Sequence, residues 1–268
     1  IKVTPAALKP GSLQVTLSDK AKAATWSQRA VEVILDASGS MLQRIDGKPR
    51  MTIARETLQQ LVQNTIPQGT PFALRVFGQT VNACDTQLMQ SLAPVSNAAI
   101  ANVLAKVEAR DGAKTPIAES LAAVPKDLAG AAGEKLVIVL TDGEETCSGD
   151  PAATITDLVA KGINVRVNIV GFAINDTELE KTFKRWAEIG GGAYYSAANA
   201  NALATELQKS TRVGFELLDA EGNIITHGNV GDAPAAVLAG KYQLRLKGLN
   251  EKPREITIEP ASETIIAW

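Results

Sequence analysis

The stretch Val31–Ser40, VEVILDASGS, runs from apolar residues straight into one carboxylate and two hydroxyls, Asp36, Ser38 and Ser40, on alternate positions. Three readings compete for it. Ser, Asp and Gly are turn formers that can simply end a strand, and Asp36 can cap a following helix. The third reading is that the three oxygens converge on a hard cation, which takes oxygen ligands. Two later segments bear on the choice. DGAKTPIAES carries Thr115 at a helix start, and LTDGEET ends the most strand-like run of the chain with Asp142. In an open α/β sheet, ligands bind just beyond the carboxyl ends of the strands, where the strand order reverses. Asp36 and Asp142 both hold strand-end positions of that kind.

The elements that must carry these residues are legible as an alternation. VEVILD reads as a strand, followed by a helix in RMTIARETLQQLVQNTI, where Ile53, Leu58, Leu61, Val62 and Ile66 recur at helical spacing. PFALRVFG and CDTQLMQSL read as strands, SNAAIANVLAKVEA as a helix with a Ser cap, and TPIAESLAAVPKDLAG as a helix with Thr115 as cap and Pro116 at its first position, ended or kinked by Pro125. EKLVIVLTDG is continuously apolar, as expected of a central strand buried on both faces. DPAATITDLVAKG, INVRVNIVGF, DTELEKTFKRWAEIGG, AYYSA and NANALATELQKST continue as helix, strand, helix, strand and helix. Such alternation predicts a doubly wound α/β fold, a mostly parallel sheet flanked by helices on both faces, over residues 29–211. From 212 to 268 the sequence turns to short alternating strands with turns at Glu-Gly-Asn, His-Gly-Asn and Ala-Gly-Lys, and residues 1–28 read the same way. The expectation is that residues 1–28 pack with residues 212–268 as one small β-sandwich, since about fifty residues alone make a thin β domain.

Composition narrows the function. With 45% hydrophobic and 21% charged residues and a net charge of −2, the chain has a full core and no electrostatic footprint for nucleic acid. No apolar stretch reaches the length of a membrane span, so no direct membrane insertion is expected. The lone histidine, His227, sits in the β-rich tail, where it reads as a surface turn residue. There is no Gly-x-Ser-x-Gly elbow, no phosphate-binding Gly-x-x-x-x-Gly-Lys loop and no Gly-x-Gly-x-x-Gly after a strand. The reading is therefore of a protein that is not an enzyme, with no catalytic residues; a Mg²⁺-dependent hydrolase is the remaining catalytic alternative. Glu144 and Glu145 follow Asp142 and could tune the field at that strand end, but they read first as solvated loop charges. The two cysteines, Cys84 and Cys147, lie in polar loop-like sequence. They are either unrelated thiols, the commoner case in a cytosolic protein, or a disulfide, to which the polar setting points and which implies a periplasmic, secreted or cell-surface location.

Asp36-x-Ser38-x-Ser40, Thr115 roughly 75 residues later and Asp142 about 27 beyond resemble, in order and spacing, the metal-ion-dependent adhesion site of von Willebrand factor A domains. The resemblance covers about residues 29–211, with a Rossmann-like fold. DGEETCSGDP is similar to bacterial members, in which a cysteine after the second Asp pairs with one between the second and third strands, here Cys147 with Cys84. AKT before Pro116 departs from the Gly-Gly-Thr frequent in bacterial relatives. What the resemblance implies is a Mg²⁺ ion, with Mn²⁺ or Ca²⁺ as alternatives. The Ser38 and Ser40 hydroxyls bind it directly, Thr115 directly or through water, and Asp36 and Asp142 largely through waters. The implied function is a metal-dependent protein-binding, adhesion-type module of an extracytoplasmic bacterial protein, whose protein ligand offers an Asp or Glu to the metal. The runner-up is an intracellular adaptor of the same fold working with a large AAA+ ATPase.

Overall fold

The computed structural model describes residues 9–249 and 251–268. The part of the N-terminal segment expectation that falls on residues 1–8 lies outside the described residues. The chain forms two compact units, residues 29–211 and a unit drawn from both ends, residues up to 28 together with 212–268.

The end-drawn unit begins with β1 (Pro10–Thr16) and α1 (Asp19–Ser27). The helix corrects the expectation of strands throughout the first 28 residues. Its signal was present but weak: the Ser18 side chain accepts from the Ala21 amide as an N-cap, and KAKAAT is rich in helix formers.

The 29–211 unit follows. It contains β2 (Arg29–Asp36), a 3-10 turn at Gly39–Leu42, a hairpin of β3 (Arg44–Ile45) and β4 (Lys48–Pro49), and α2 (Arg50–Asn64). Next come β5 (Pro71–Phe77), β6 (Thr86–Pro94), α3 (Asn97–Leu104), α4 (Ile117–Asp127) and β7 (Glu134–Thr141). The unit closes with α5 (Pro151–Ala160), β8 (Val165–Phe172), α6 (Thr177–Ile189), β9 (Tyr194–Ala197) and α7 (Ala200–Ser210). Six strands form one sheet in the order β6-β5-β2-β7-β8-β9. All neighbours are parallel except the edge pair β5–β6. This is the doubly wound, mostly parallel sheet expected from the alternation. Every residue of β2 is buried, and β7 is buried except at Lys135, which is why both read as nearly continuous apolar runs. One core sets Ile34, Phe77, Val137 and Val139 of the sheet against Leu121 and Val124 of α4, Ile155 of α5 and Phe183 and Trp186 of α6. Elsewhere α2 packs against α3 and α7.

Local chemistry explains the helix ends. Asp150 caps α5 by accepting from the Ala153 amide, with Pro151 at the first helical position, and Gly162 follows at φ +67, a left-handed conformation that stops the helix. Thr115 does not cap α4. Its N-cap position is Pro116, and α4 runs through Pro125 to Asp127 instead of ending at it.

The chain then returns to the end-drawn unit with β10 (Gly214–Leu218), β11 (Ile224–Asn229), β12 (Ala235–Leu238), β13 (Gly240–Leu246), β14 (Arg254–Ile258) and β15 (Glu263–Ala267). These form sheets β12-β1-β15 and β11-β10-β13-β14. Leu13 and Val15 of the first face Phe215, Leu217, Leu244, Leu246, Ile256 and Ile258 of the second across a shared apolar core, which makes a small sandwich. His227 lies exposed within β11, paired in register with Glu216, and not in a turn.

Candidate metal centre

Asp36 ends β2 and Thr141-Asp142 ends β7, two neighbouring strands of the sheet. From β2 the chain passes to β5 on one side, and β7 lies on the other, so both strand ends open at the reversal of strand order. The Asp36 carboxylate is fully buried. Its Oδ1 accepts from the Ser38 amide at 2.7 Å and its Oδ2 from the Thr141 hydroxyl at 2.6 Å. These bonds turn the backbone after β2 so that the Ser38 and Ser40 hydroxyls lie 3.0 Å apart. The Ser40 hydroxyl donates to Asp142 Oδ1 at 2.5 Å. The Ser38, Ser40 and Asp142 side chains therefore form one connected cluster of oxygens, to which the Asp36 carboxylate is tied through the Ser38 amide.

The loop is held from two sides. The Ala37 amide donates to the Phe77 carbonyl and the Ala37 carbonyl accepts from the Arg110 amide. Gly78, at φ +78, follows β5, and a Cβ there would fall 2.5 Å from the Ser38 nitrogen. Only glycine lets the end of β5 approach the serine loop this closely.

Thr115 is buried and lies on a neighbouring loop; among the described residues no hydrogen bond joins its hydroxyl to the other four side chains. What ties it in is the loop after Asp142. The Thr115 amide donates to Thr146 Oγ1 at 2.8 Å, and the Thr146 amide donates back to the Thr115 carbonyl at 3.2 Å. Glu145 reinforces this contact and is not a solvated loop charge. Its carboxylate accepts from the Ala118 amide in the first turn of α4 at 2.8 Å and from the Cys147 amide at 2.7 Å. A carboxylate there satisfies an otherwise orphan helix amide and complements the helix dipole. Cys147 is in turn joined to Cys84 by a disulfide with Cα atoms 5.7 Å apart, closing a sequence separation of 63. Replacing both cysteines by serine is expected to lower the stability of the 29–211 unit by about 4 kcal/mol, the chain-entropy value for a loop of this length. Urea unfolding of the double variant beside the parent protein measures it; no loss would mean the loops are already held by Thr146 and Glu145.

The electrostatics of the cluster suit a hard cation. Burial, and then the charge of Asp142, push the Asp36 carboxyl up to about 6, against the hydrogen bonds from Ser38 and Thr141. Two buried carboxylates within electrostatic reach of each other each disfavour the other's charge, a cost that a cation relieves. The donors are hydroxyl and carboxylate oxygens with no thiolate or imidazole among them, a set that fits Mg²⁺ chemistry and not a soft metal. Among the described residues no three His, Cys, Asp or Glu side chains gather to hold a metal, so a cation here would rest mainly on hydroxyls. Arg50, which the sequence reading passed over, donates from Nη1 to Asp142 Oδ2 at 2.8 Å.

A family model for the von Willebrand factor type A domain matches residues 31–210. The chain belongs to the von Willebrand factor type A domain family. The curated protein YwmD of Bacillus subtilis (strain 168), described as uncharacterized, is 34% identical over 214 residues, covering 75% of this chain and 94% of its own. A von Willebrand factor type A structure from Catenulispora acidiphila superposes with a TM-score of 0.58 at 17% identity, covering 97% of this chain and 76% of that one. Proximal thread matrix protein 1 of the mussel byssus, in a form with a zinc-occupied MIDAS motif, gives a TM-score of 0.55 at 20% identity, covering 68% of this chain and 47% of that one. At these identities the solved structures establish the fold of the von Willebrand type A unit. Domains of this family are in general interaction modules.

Proposed function

We propose that the chain is a metal-dependent protein-binding module of an extracytoplasmic bacterial protein, with Asp36, Ser38, Ser40, Thr115 and Asp142 holding a Mg²⁺ ion. The observation that carries this reading is the oxygen cluster at the ends of β2 and β7, in which Ser38, Ser40 and Asp142 meet through contacts of 3.0 and 2.5 Å. A bound divalent cation would supply a Lewis-acidic point to which a partner's Asp or Glu can attach. The chain's own residues set how that point behaves. The Ser38 and Ser40 hydroxyls offer neutral oxygens, and Thr141 and the Ser38 amide hold Asp36 so that its charge acts from behind them. Thr146 and Glu145 fix the loops carrying Thr115 and Asp142. Specificity then belongs to the side chains around the mouth, where a charge-assisted contact anchors an interface. The zinc-occupied MIDAS motif of the mussel protein supports a cation here. The Cys84–Cys147 disulfide supports an oxidising compartment, hence a periplasmic, secreted or cell-surface location, and argues against the intracellular adaptor role.

Calorimetric titration of Mg²⁺ and Mn²⁺ into chelator-stripped protein tests the reading, with Ser40→Ala alongside. The expected result is binding near one ion per chain that disappears in the variant. Equal binding by the variant would remove the cluster as the site. Phosphoester hydrolysis that requires Mg²⁺ and is lost in Asp142→Ala would replace the binding role with a catalytic one.

A further inference from the structure

We infer that Arg50 is a built-in counter-charge at the metal centre, which weakens metal binding and keeps the loaded centre positive enough to accept one carboxylate from a partner; the inference rests on the metal reading above. Asp142 divides its two oxygens. Oδ1 takes the Ser40 hydroxyl at 2.5 Å, on the side of the serine pair, and Oδ2 takes Arg50 Nη1 at 2.8 Å. The guanidinium thus reaches Asp142 through the oxygen that Ser40 leaves free. It neutralises the acid without taking Ser40's place.

The position of Arg50 has no local explanation. It opens α2, whose first turn contains no acid, and a cation at a helix N-terminus opposes the helix dipole. The backbone is fixed there by the Arg50 amide, which donates to the Gln43 carbonyl at 2.8 Å, just after the serine turn. The side chain is only 12% exposed and that of Asp142 0%. Its Nε is buried and has no hydrogen-bond partner among the described residues. A buried arginine with an unmatched donor, placed against a dipole, is held among the described residues by its hydrogen-bonded ion pair with the Asp142 carboxylate.

Charge accounting gives the consequence. Asp36 and Asp142 bring two negative charges, and Arg50 cancels one. A divalent cation would then leave the cluster with one positive charge in surplus, which a single partner carboxylate neutralises. Without Arg50 the loaded cluster would be neutral, so it would hold the metal more tightly and attract the carboxylate less. A residue that merely kept Asp142 in place would have the opposite effect on the metal, because losing it would misplace a ligand.

The test compares the parent protein with Arg50→Gln, Arg50→Met, Arg50→Lys and Ser40→Ala in Mn²⁺ calorimetry, followed by acetate titration of the Mn²⁺-loaded proteins monitored by water-proton relaxation. The expected result is Mn²⁺ binding about tenfold tighter in Arg50→Gln and Arg50→Met, from loss of a like charge close to the cation. Acetate should bind more weakly in both, and Arg50→Lys should restore the parent values. In chelator the Gln and Met variants should melt below the parent, and saturating Mn²⁺ should close that gap. Two variants of different shape separate loss of charge from a folding defect in either one. Unchanged or weaker Mn²⁺ binding in both, with Ser40→Ala still abolishing it in the parent, would overturn the inference and leave the metal reading standing. Absence of Mn²⁺ binding in the parent and in the Gln and Met variants alike would overturn both.

Discussion

Asp36→Ala is expected to weaken Mg²⁺ binding by about 100-fold or more, the upper range for residues that orient and charge a metal site from behind its direct ligands. Its effect on the fold should be small. Removing the carboxylate takes away the acceptor of the Ser38 amide and of the Thr141 hydroxyl. Thr141 has a second acceptor in the Gly143 carbonyl at 3.0 Å, so one orphaned amide remains, at a cost of about 1–3 kcal/mol. Against this stands relief from burying a carboxyl that the fold already pushes up to about 6. The net change should be a fraction of the amide cost, with the helix and sheet content retained. Asp36→Asn separates charge from shape, because its amide oxygen can still accept from Ser38. It should preserve stability better than alanine and lose metal binding nearly as fully. Calorimetry with Mg²⁺ and a thermal melt of each variant read both quantities. Retained metal binding in Asp36→Asn would mean that the carboxylate serves the turn and not the ion.

The parallel sheet was legible because its signals are local or periodic. A strand buried on both faces must be apolar throughout, as β2 and β7 nearly are, and Ile53, Leu58, Leu61 and Val62 mark the buried stripe of α2. Strand-end acids were legible for a related reason: Asp36 and Asp142 interrupt apolar runs where an ordinary strand would pass into a loop. What escaped notice was determined by register and by distant partners. Nothing in RMTIARE shows that the Arg50 guanidinium meets an acid 92 residues away. Glu145 looks like any loop acid until the loop folds back on the first turn of α4, 27 residues earlier in sequence. Thr115 carries a helix-cap signature, yet its amide is committed to Thr146, and the helix starts one residue later without a side-chain cap. α1 is hard to read from sequence because residues 19–27 have little amphipathic contrast, which leaves helix propensity as the main signal.

Three charged residues buried within strands account for the second large effect. Arg29 and Glu134 face each other in register on β2 and β7, and Arg166 joins from β8. Glu134 accepts from Arg29 at 2.6 Å and from Arg166 at 2.8 Å, and all three side chains are buried. Glu134→Ala is expected to destabilise the 29–211 unit by about 4 kcal/mol, because it leaves two guanidiniums in the interior with their shared carboxylate gone. Burial lowers the pKa of Arg29, and the like charge of Arg166 adds to that pressure. The two arginines hold the Glu134 carboxyl down to about 2, outweighing the effect of burial. Since the folded value lies below the unfolded one, near 4.5, the unfolded chain binds more protons between them. The stabilisation is therefore complete above about pH 4.5 and is lost as the pH falls towards 2, a change of about 3 kcal/mol. Glu32 should act in the opposite sense. Burial, then the neighbouring Asp127 carboxylate, raise its pKa to about 9. Its contribution is complete below about pH 4.5 and declines as the pH rises towards 9. Urea unfolding between pH 2 and 9 resolves the two: Glu134→Ala should flatten the acid limb alone, and Glu32→Gln the neutral-to-alkaline decline alone. An acid limb unchanged in Glu134→Ala would show that other carboxylates govern acid unfolding and that the Arg29–Glu134–Arg166 cluster contributes packing without charge linkage.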